Sequence, residues 1–420
     1  MKYTKSFGTW KRALLPGDVS KLAREVGWSE RKSKLTPVRF FWGLVLGFRE
    51  DAKKTMAGLA RFISLISGVV LSRQALHKRL TKEAVCFLES CYRLLLQRVL
   101  ARGSALLEGK LGLLGRFKDL AVVDSTSFRL ADRLASRFPA CRSNVRKAAV
   151  KIHACMSLAW KHAERIRISA ERVHDRRGAL IGRWVRDRLV TFDLGYFDYG
   201  LFRKIVEWGG AFCTRLKETA TGEIIAVRAG CRKRSIGKAL NRVDFFGSQV
   251  DLDVRFGAGK RAATFRVIGL WDRRAQEYHW YATSLEPMEF SPVEVGQIYA
   301  LRWQIEMMFK EWKTLARIGQ VASRREEVVR VLIYAALCAM LLSRLAVEIA
   351  CRTFCVAVVR ISTYLTVGIL ATYARELAGI AVGQRCREGP RVFHRFLEAI
   401  ALHAKHPNKT TAMQLAVKTN

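Results

Sequence analysis

Through residues 1–110, apolar side chains recur every three or four positions among Leu, Ala, Lys and Arg, with little of the alternation a strand requires. That spacing predicts helices. Within the stretch, KTMAGLARFISLISGVVLSRQALHKRLTKEAVCFLE reads as two helices joined by a short turn around Gly68, the second capped by Ser72. Arg73, Gln74, His77 and Lys78 then project from its first turns, as in a helix-turn-helix that enters a major groove. An ordinary helical hairpin with a solvated basic face fits the same pattern.

From about residue 117 the period shortens. KDLAVVDSTSF is a short apolar strand ending in an acid, and VKIHACMSLAW and ERIRISAERVHD alternate like the next two strands of a meander. ALIGRWVRDRL reads as helical, LVTFDLGYF as another apolar strand ending in an acid, FDYGLFRKIVEWG as an amphipathic helix and AFCTRLK as a fifth strand. The order implies a mixed α/β layer structure. In residues 219–285 the rhythm breaks. VDLDVRF, ATFRVIGLWD and EYHWYATSL are strand-like and separated by Gly and Arg clusters, as expected of a β-rich insertion. Residues 326–420 read as helices followed by a basic tail, LEAIALHAKHPNKTTAMQLAVKTN, which carries no usable motif. The predicted organisation is 1–110 helical and DNA-binding, 111–218 first part of a core, 219–285 insertion, 286–325 second part of the core, and 326–420 helical.

Composition narrows the partners. The 420 residues hold 74 Lys plus Arg against 36 Asp plus Glu, a formal net charge of +38. Such an excess repels itself unless a polyanion neutralises it, which points to a nucleic-acid backbone. An anionic membrane surface is the runner-up, but the basic residues are spread along the chain rather than clustered beside an apolar span. VVRVLIYAALCAMLL, residues 328–342, is too short for a span, contains Arg330, and reads as a buried helix. The ten cysteines lack metal-ligand spacing and suit a reducing interior. The start, MKYTKSFGTWKR, has no secretory character, so a cytoplasmic, nucleoid-associated protein is expected.

Two acids, Asp124 in LAVVDSTS and Asp193 in VTFDLGYF, directly follow apolar strands, where side chains leave the packed layer and sites assemble. Placed together they repel and raise each other's pKa unless a cation holds them. Mg²⁺ suits such oxygen ligands and leaves positions for water and phosphate. Asp119, Asp175 and Asp198 compete, at a strand start, a loop and a helix start. A third acid is offered by IYALRWQIEMMFKEWKT, residues 298–314. As one continuous helix it places Tyr299, Arg302, Glu306 and Lys313 within an arc of about 60°. Ile298, Leu301, Ile305, Met308, Phe309 and Trp312 fill an adjoining core-facing stripe, and Glu311 points away as a solvated acid. A surface ion pair between Arg302 and Glu306 is the competing account of the polar stripe.

Tyr299, Arg302, Glu306 and Lys313 spell Y-x2-R-x3-E-x6-K. With Asp124 in DST, Asp193 in DLGYF, RWQIE, FKEWK and FCTRLK, the chain from about 117 to 316 resembles the DDE transposases of bacterial insertion sequences, the family named for insertion sequence four. SRQALHKRL adds weaker support. The resemblance implies a ribonuclease-H-like catalytic core interrupted by a β-rich insertion, with helical regions at both ends. It implies that Asp124, Asp193 and Glu306 bind two Mg²⁺ ions, with Mn²⁺ able to substitute, and that Tyr299, Arg302 and Lys313 grip phosphates at the transposon end. Trp280 falls where relatives that cut through a DNA hairpin stack a flipped base, although a half-buried structural tryptophan fits the strand equally. The partners implied are transposon-end and target DNA, with a dimer in the synaptic complex and no membrane. A related nuclease without strand transfer, or a non-catalytic helix-turn-helix protein, are the alternatives.

Overall fold

The computed structural model describes residues 2–13, 15–29, 33–47, 55–100, 115–141, 144–158, 162–178, 180–259, 262–314, 323–357, 361–384 and 387–405. Its chain divides into two compact units. One is built from Met1–Ser104, Phe128–Val150 and Phe309–Lys409, the other from Ala105–Ser127 and Lys151–Met308.

The first unit opens with α1 (Lys2–Lys11), α2 (Pro16–Glu25), α3 (Pro37–Gly47), α4 (Met56–Ser67), α5 (Arg73–Arg79) and α6 (Lys82–Leu100). As expected, α4 stops at Gly68, whose φ of 67° is the left-handed cap that glycine tolerates. Ser72 accepts from the Ala75 N–H at 3.1 Å to start the next helix. The predicted second helix is in fact two. Leu80 leaves helical geometry and is fully buried, and Thr81 recaps the chain by accepting from the Ala84 N–H at 3.4 Å. A buried stack of Trp28 on Phe40 and Phe87, with ring centroids 4.4 and 5.3 Å apart, ties α3 to α6.

The second unit is dominated by one nine-stranded sheet of order β3-β2-β1-β4-β5-β9-β8-β7-β6. Its strands are β1 (Asp119–Arg129), β2 (Ala149–Ser157), β3 (His162–Ala170), β4 (Arg188–Phe192), β5 (Ala211–Arg215), β6 (Glu223–Ala229), β7 (Gln249–Phe256), β8 (Ala263–Asp272) and β9 (Glu277–Thr283). β1, β4 and β5 run parallel, and their continuous apolar runs are buried as central parallel strands require. β5 pairs antiparallel with β9, from which β8, β7 and β6 continue as an antiparallel meander. The strands of residues 219–285 therefore extend the same sheet. β6 was not expected from the sequence, because EIIAVRA offers no clean alternation of apolar and polar positions.

Helices of this unit are α7 (Asp175–Gly178), α8 (Tyr199–Glu207), α9 (Pro292–Ala300) and α10 (Trp303–Thr314), the last running on into the first unit. α8 starts as predicted, with Asp198 accepting from the Leu201 N–H at 3.0 Å. Its Phe202 stacks between Phe192 and Phe212 at 5.4 and 4.6 Å, fixing the helix over the ends of β4 and β5.

Two expectations fail here. ALIGRWVRDRL forms only a single tight turn at Arg183–Val185, because Gly182 is fully extended and Asp187 adopts a left-handed φ of 62° before β4 begins. Residues 298–314 are not one helix. The chain breaks between α9 and α10, and Leu301 and Arg302 donate to carbonyls three residues back, at 3.1 and 2.9 Å. No Gly or Pro forces this break.

Three further helices, α11 (Glu326–Phe354), α12 (Thr363–Ala381) and α13 (Gly389–His403), complete the first unit. α11 packs against α6, α3, α12, α13 and α1, so the N-terminal and C-terminal helices share one core. It is the one described helix long and apolar enough to cross a membrane, yet 89% of its most apolar window is buried against its neighbours. Its apolar run thus belongs to a helix core, as expected. The basic tail from residue 406 onward lies outside the described residues.

Candidate active site

The register of the parallel strands builds the site. Val123 of β1 is paired with Phe192 of β4, so Asp124 and Asp193 are the next residues on adjacent strands. Neighbouring strands lie about 4.8 Å apart, which puts the two acids side by side. Asp193 ends its strand as predicted, but β1 runs on to Arg129, so Asp124 lies within a strand. What stops after Val123 is the pairing of β1 with β4, and that opens the edge on which Asp124 stands.

The break before α10 supplies the rest. Arg302 donates from Nη1 to Asp124 Oδ2 at 3.2 Å and from Nη2 to Glu306 Oε1. The Arg302–Glu306 pair read from the sequence is real, but it is half-buried and shared with Asp124 rather than solvated. Asp124 Oδ1 accepts from the Ser125 N–H at 2.7 Å. Burial pushes the Asp124 carboxyl up to about 6, with Asp193 and Glu306 adding to the rise while Ser125 and Arg302 oppose it. Burial works against the charge of Arg302, but Tyr299, Glu306 and Asp124 hold its pKa above the ordinary value.

Asp124, Asp193 and Glu306 are a purely carboxylate donor set, which suits a hard divalent cation. Among the described residues, no three His, Cys, Asp or Glu side chains are gathered closely enough to hold a metal ion. The Arg302 guanidinium lies between Asp124 and Glu306 and supplies the positive charge there, while its buried Nε has no hydrogen-bond partner. The residues present fit a cation by chemistry, with Arg302 standing where it would compete.

The remaining predicted residues fall in several places. Tyr299, the penultimate residue of α9, is buried, lies under the Arg302 guanidinium at 5.7 Å and has its hydroxyl pushed up to about 12 by burial. Lys313 is exposed on the last turn of α10, in the first unit, with Nζ 5.9 Å from the Phe128 ring. Glu311 is not solvated as expected: it binds Arg344 of α11 at 2.9 Å with both side chains about four-fifths buried. Trp280 is half-buried on β9, packed on Phe245 at 4.8 Å and Tyr278 at 5.4 Å, and lines an open cavity of about 900 Å³ with Arg215 and Lys217. Arg73, Gln74 and Lys78 are exposed on α5, and His77 is half-buried, its carbonyl accepting from Arg325 at 3.3 Å.

A second polar group adjoins Asp124, centred on an acid that the sequence offered only as a competitor in a loop. Asp175, read as a loop acid, begins α7 and accepts from Ser125 Oγ at 2.8 Å and from Lys151 Nζ at 3.2 Å. Fully buried His153 lies 3.3 Å from the Tyr196 hydroxyl and 3.0 Å from Ser169 Oγ. The only signal was a Lys and a His within the otherwise apolar VKIHACMS of β2.

A strand-edge pair of acids joined to a helical acid by a basic side chain defines an α/β enzyme with an acid-centred site. Residues 115–342, more than half of the chain, match the family described as Transposase DDE domain, and the chain belongs to that family. It is a DNA transposase, an enzyme of DNA cleavage and strand transfer, and the family's chemistry uses divalent metal ions. The chain is 23% identical over 376 residues to the transposase for insertion sequence element IS231F of Bacillus thuringiensis subsp. israelensis, covering 79% of this chain and 77% of that protein. Over 366 residues it is 23% identical to the transposase for IS1151 of Clostridium perfringens, covering 78% and 77%. A solved piggyBac transposase synaptic complex with hairpin DNA is similar at a TM-score of 0.49 and 11% identity, over 96% of this chain and 86% of that one. Neither alternative, a nuclease without strand transfer or a non-catalytic DNA-binding protein, is favoured.

Proposed function

We propose that this is a cut-and-paste transposase of the insertion-sequence-four type. It binds the terminal inverted repeats of its own element, cleaves both strands and joins the freed 3′ ends to target DNA. The observation that carries the reading is the Val123–Phe192 register, which sets Asp124 beside Asp193 and within reach of Arg302 and Glu306. The β3-β2-β1-β4-β5 order supports a ribonuclease-H-like core, with residues 219–285 as its β-rich insertion and 1–110 and 326–420 as flanking helical regions.

In this reading Asp124, Asp193 and Glu306 hold two Mg²⁺ ions, for which Mn²⁺ can substitute. Bound there, the metal would activate the attacking oxygen and stabilise the leaving one. Arg302 then exchanges its carboxylate partners for a phosphate of the transposon end, to which its planar fork is suited. Exposed Lys313 supplies a point charge to the same backbone, and the Tyr299 hydroxyl, protonated throughout the working range, donates a hydrogen bond. Trp280, with Tyr278 and Phe245, lines a cavity into which an unstacked base fits, flanked by Arg215 and Lys217. On α5, Arg73, Gln74, His77 and Lys78 face the inverted repeat. Two ends must be held at once, so the working form on DNA is a dimer, acting in the cytoplasm on the nucleoid.

The test is Mg²⁺-dependent cleavage of a DNA end carrying the element's inverted repeat. Asp124→Asn, Asp193→Asn and Glu306→Gln should each abolish cleavage while end binding persists. Cleavage surviving in any one of them removes that residue from the catalytic set.

A further inference from the structure

We propose that Asp175 is a positioning residue for the transposition chemistry, acting through Ser125 and the turn at Gly195 and Tyr196 to fix the separation of Asp124 and Asp193. This inference rests on the assignment of those two acids as metal ligands. Ser125 is the residue after Asp124, and its backbone N–H holds Asp124 Oδ1 while its hydroxyl donates to Asp175 at 2.8 Å. Tyr196 closes the one-turn loop after Asp193, since its N–H donates to the Asp193 carbonyl at 3.0 Å. Its hydroxyl lies 3.3 Å from His153 Nδ1, a nitrogen that is itself 3.7 Å from Asp175 Oδ1. Asp175 thus stands between the two acids, bonded to Ser125 beside Asp124 and close to His153, which holds Tyr196 after Asp193.

The direction of the Ser125 bond is set at Asp175, because a carboxylate only accepts. Ser125 spends its one proton there, and Ser169, which donates to the Ala170 carbonyl, accepts from His153 Nε2, so the singly protonated ring accepts from the Tyr196 hydroxyl at Nδ1. Each hydroxyl therefore has one donor role. Lys151, nearly buried, anchors Asp175 from β2 and donates also to the Val173 carbonyl at 3.0 Å. Gly195 completes the fit: a Cβ at that position would lie 2.9 Å from Asp175 Oδ2, so the turn after Asp193 approaches the carboxylate only without a side chain. Asp175 Oδ1 accepts from both Ser125 and Lys151, which suits a brace.

The experiment measures Mn²⁺ binding to the full-length protein without DNA, by the electron paramagnetic resonance signal of free Mn²⁺, alongside end binding and cleavage. Residues that orient ligands typically change metal affinity by about 10- to 100-fold when altered. Ser125→Ala should weaken Mn²⁺ binding by about ten-fold and slow cleavage, with end binding and thermal unfolding near wild type. Ser125→Thr, which keeps the hydroxyl and suits a strand, should restore affinity, and Asp175→Asn should weaken it at least as much as Ser125→Ala. If Asp175→Asn does not fold, the Ser125 pair still decides. Wild-type Mn²⁺ affinity in Ser125→Ala, with affinity lost in Asp124→Asn, overturns the brace alone. Unchanged affinity in Asp124→Asn and Asp193→Asn overturns the ligand assignment itself, and the brace with it.

Discussion

Arg302 reaches across from the break between α9 and α10 to Asp124 on the central sheet, 3.2 Å from Nη1 to Oδ2, while its other nitrogen holds Glu306. One guanidinium thus separates acids that would otherwise repel. Removing one partner of a partly buried charged pair leaves the others unsatisfied, at a cost of about 1–3 kcal/mol. Arg302→Met should therefore lower the unfolding temperature in metal-free buffer. Added Mg²⁺ should raise it more in the variant than in wild type, because the cation takes over the vacated role. A calorimetric scan with EDTA and with Mg²⁺ decides. An equal Mg²⁺ shift in both proteins would mean that Arg302 and the metal do not share a position.

Glu311 tests which acid of α10 belongs to chemistry. It is bound to Arg344 within the helical unit, so Glu311→Ala should cost stability, about 1–2 kcal/mol, with cleavage per folded molecule retained. Arg344→Ala should match it, and the double variant should lose less than the sum of the two. Denaturant unfolding of the four proteins measures the coupling. Additive losses would show that the pair contributes nothing of its own.

The sheet core was legible because parallel strands, buried on both faces, announce themselves as apolar runs such as LAVV and LVTF. The acids after those runs were legible for the same reason. What periodicity could not supply was tertiary. Nothing local in ALRWQ announces a helix break, yet the break is what brings Arg302 between Asp124 and Glu306, so the single-helix arc described the wrong geometry for a pair of residues that do meet. Glu311 looked solvated because Arg344, its partner, is 33 positions away. Asp175 looked like a turn residue because the groups that explain it, Ser125 and Lys151, lie 50 and 24 positions distant.

Trp280 faces two roles that one substitution pair separates. Its ring packs on Phe245 and Tyr278 and also lines the cavity beside Arg215 and Lys217. Stacking of a nucleobase on an aromatic ring contributes about 1–3 kcal/mol. With 2-aminopurine placed at the terminal positions of the element, Trp280→Ala should abolish the fluorescence change on complex formation and Trp280→Phe should retain most of it. End binding should be unaffected in both. The same fluorescence change in Trp280→Ala as in wild type would leave the tryptophan a purely structural residue.

His153 predicts how the fold responds to acid. Burial pushes its pKa down to about 4; Lys151 and Arg167 disfavour its charge and Asp175 favours it. The unfolded chain takes up this proton near the ordinary value of about 6.5, the native state only near 4. Stability from this group is therefore complete above about pH 6.5 and lost as pH falls toward 4, by at most about 3 kcal/mol. Asp124 works in the opposite sense, since its raised pKa makes the native state bind a proton more tightly than the unfolded chain. The difference between wild type and His153→Gln removes that background. Urea unfolding at pH 7.5, 6 and 5 should show wild type losing more stability on acidification than His153→Gln. Parallel losses in the two proteins would mean that the imidazole is charged, or exposed, at pH 5.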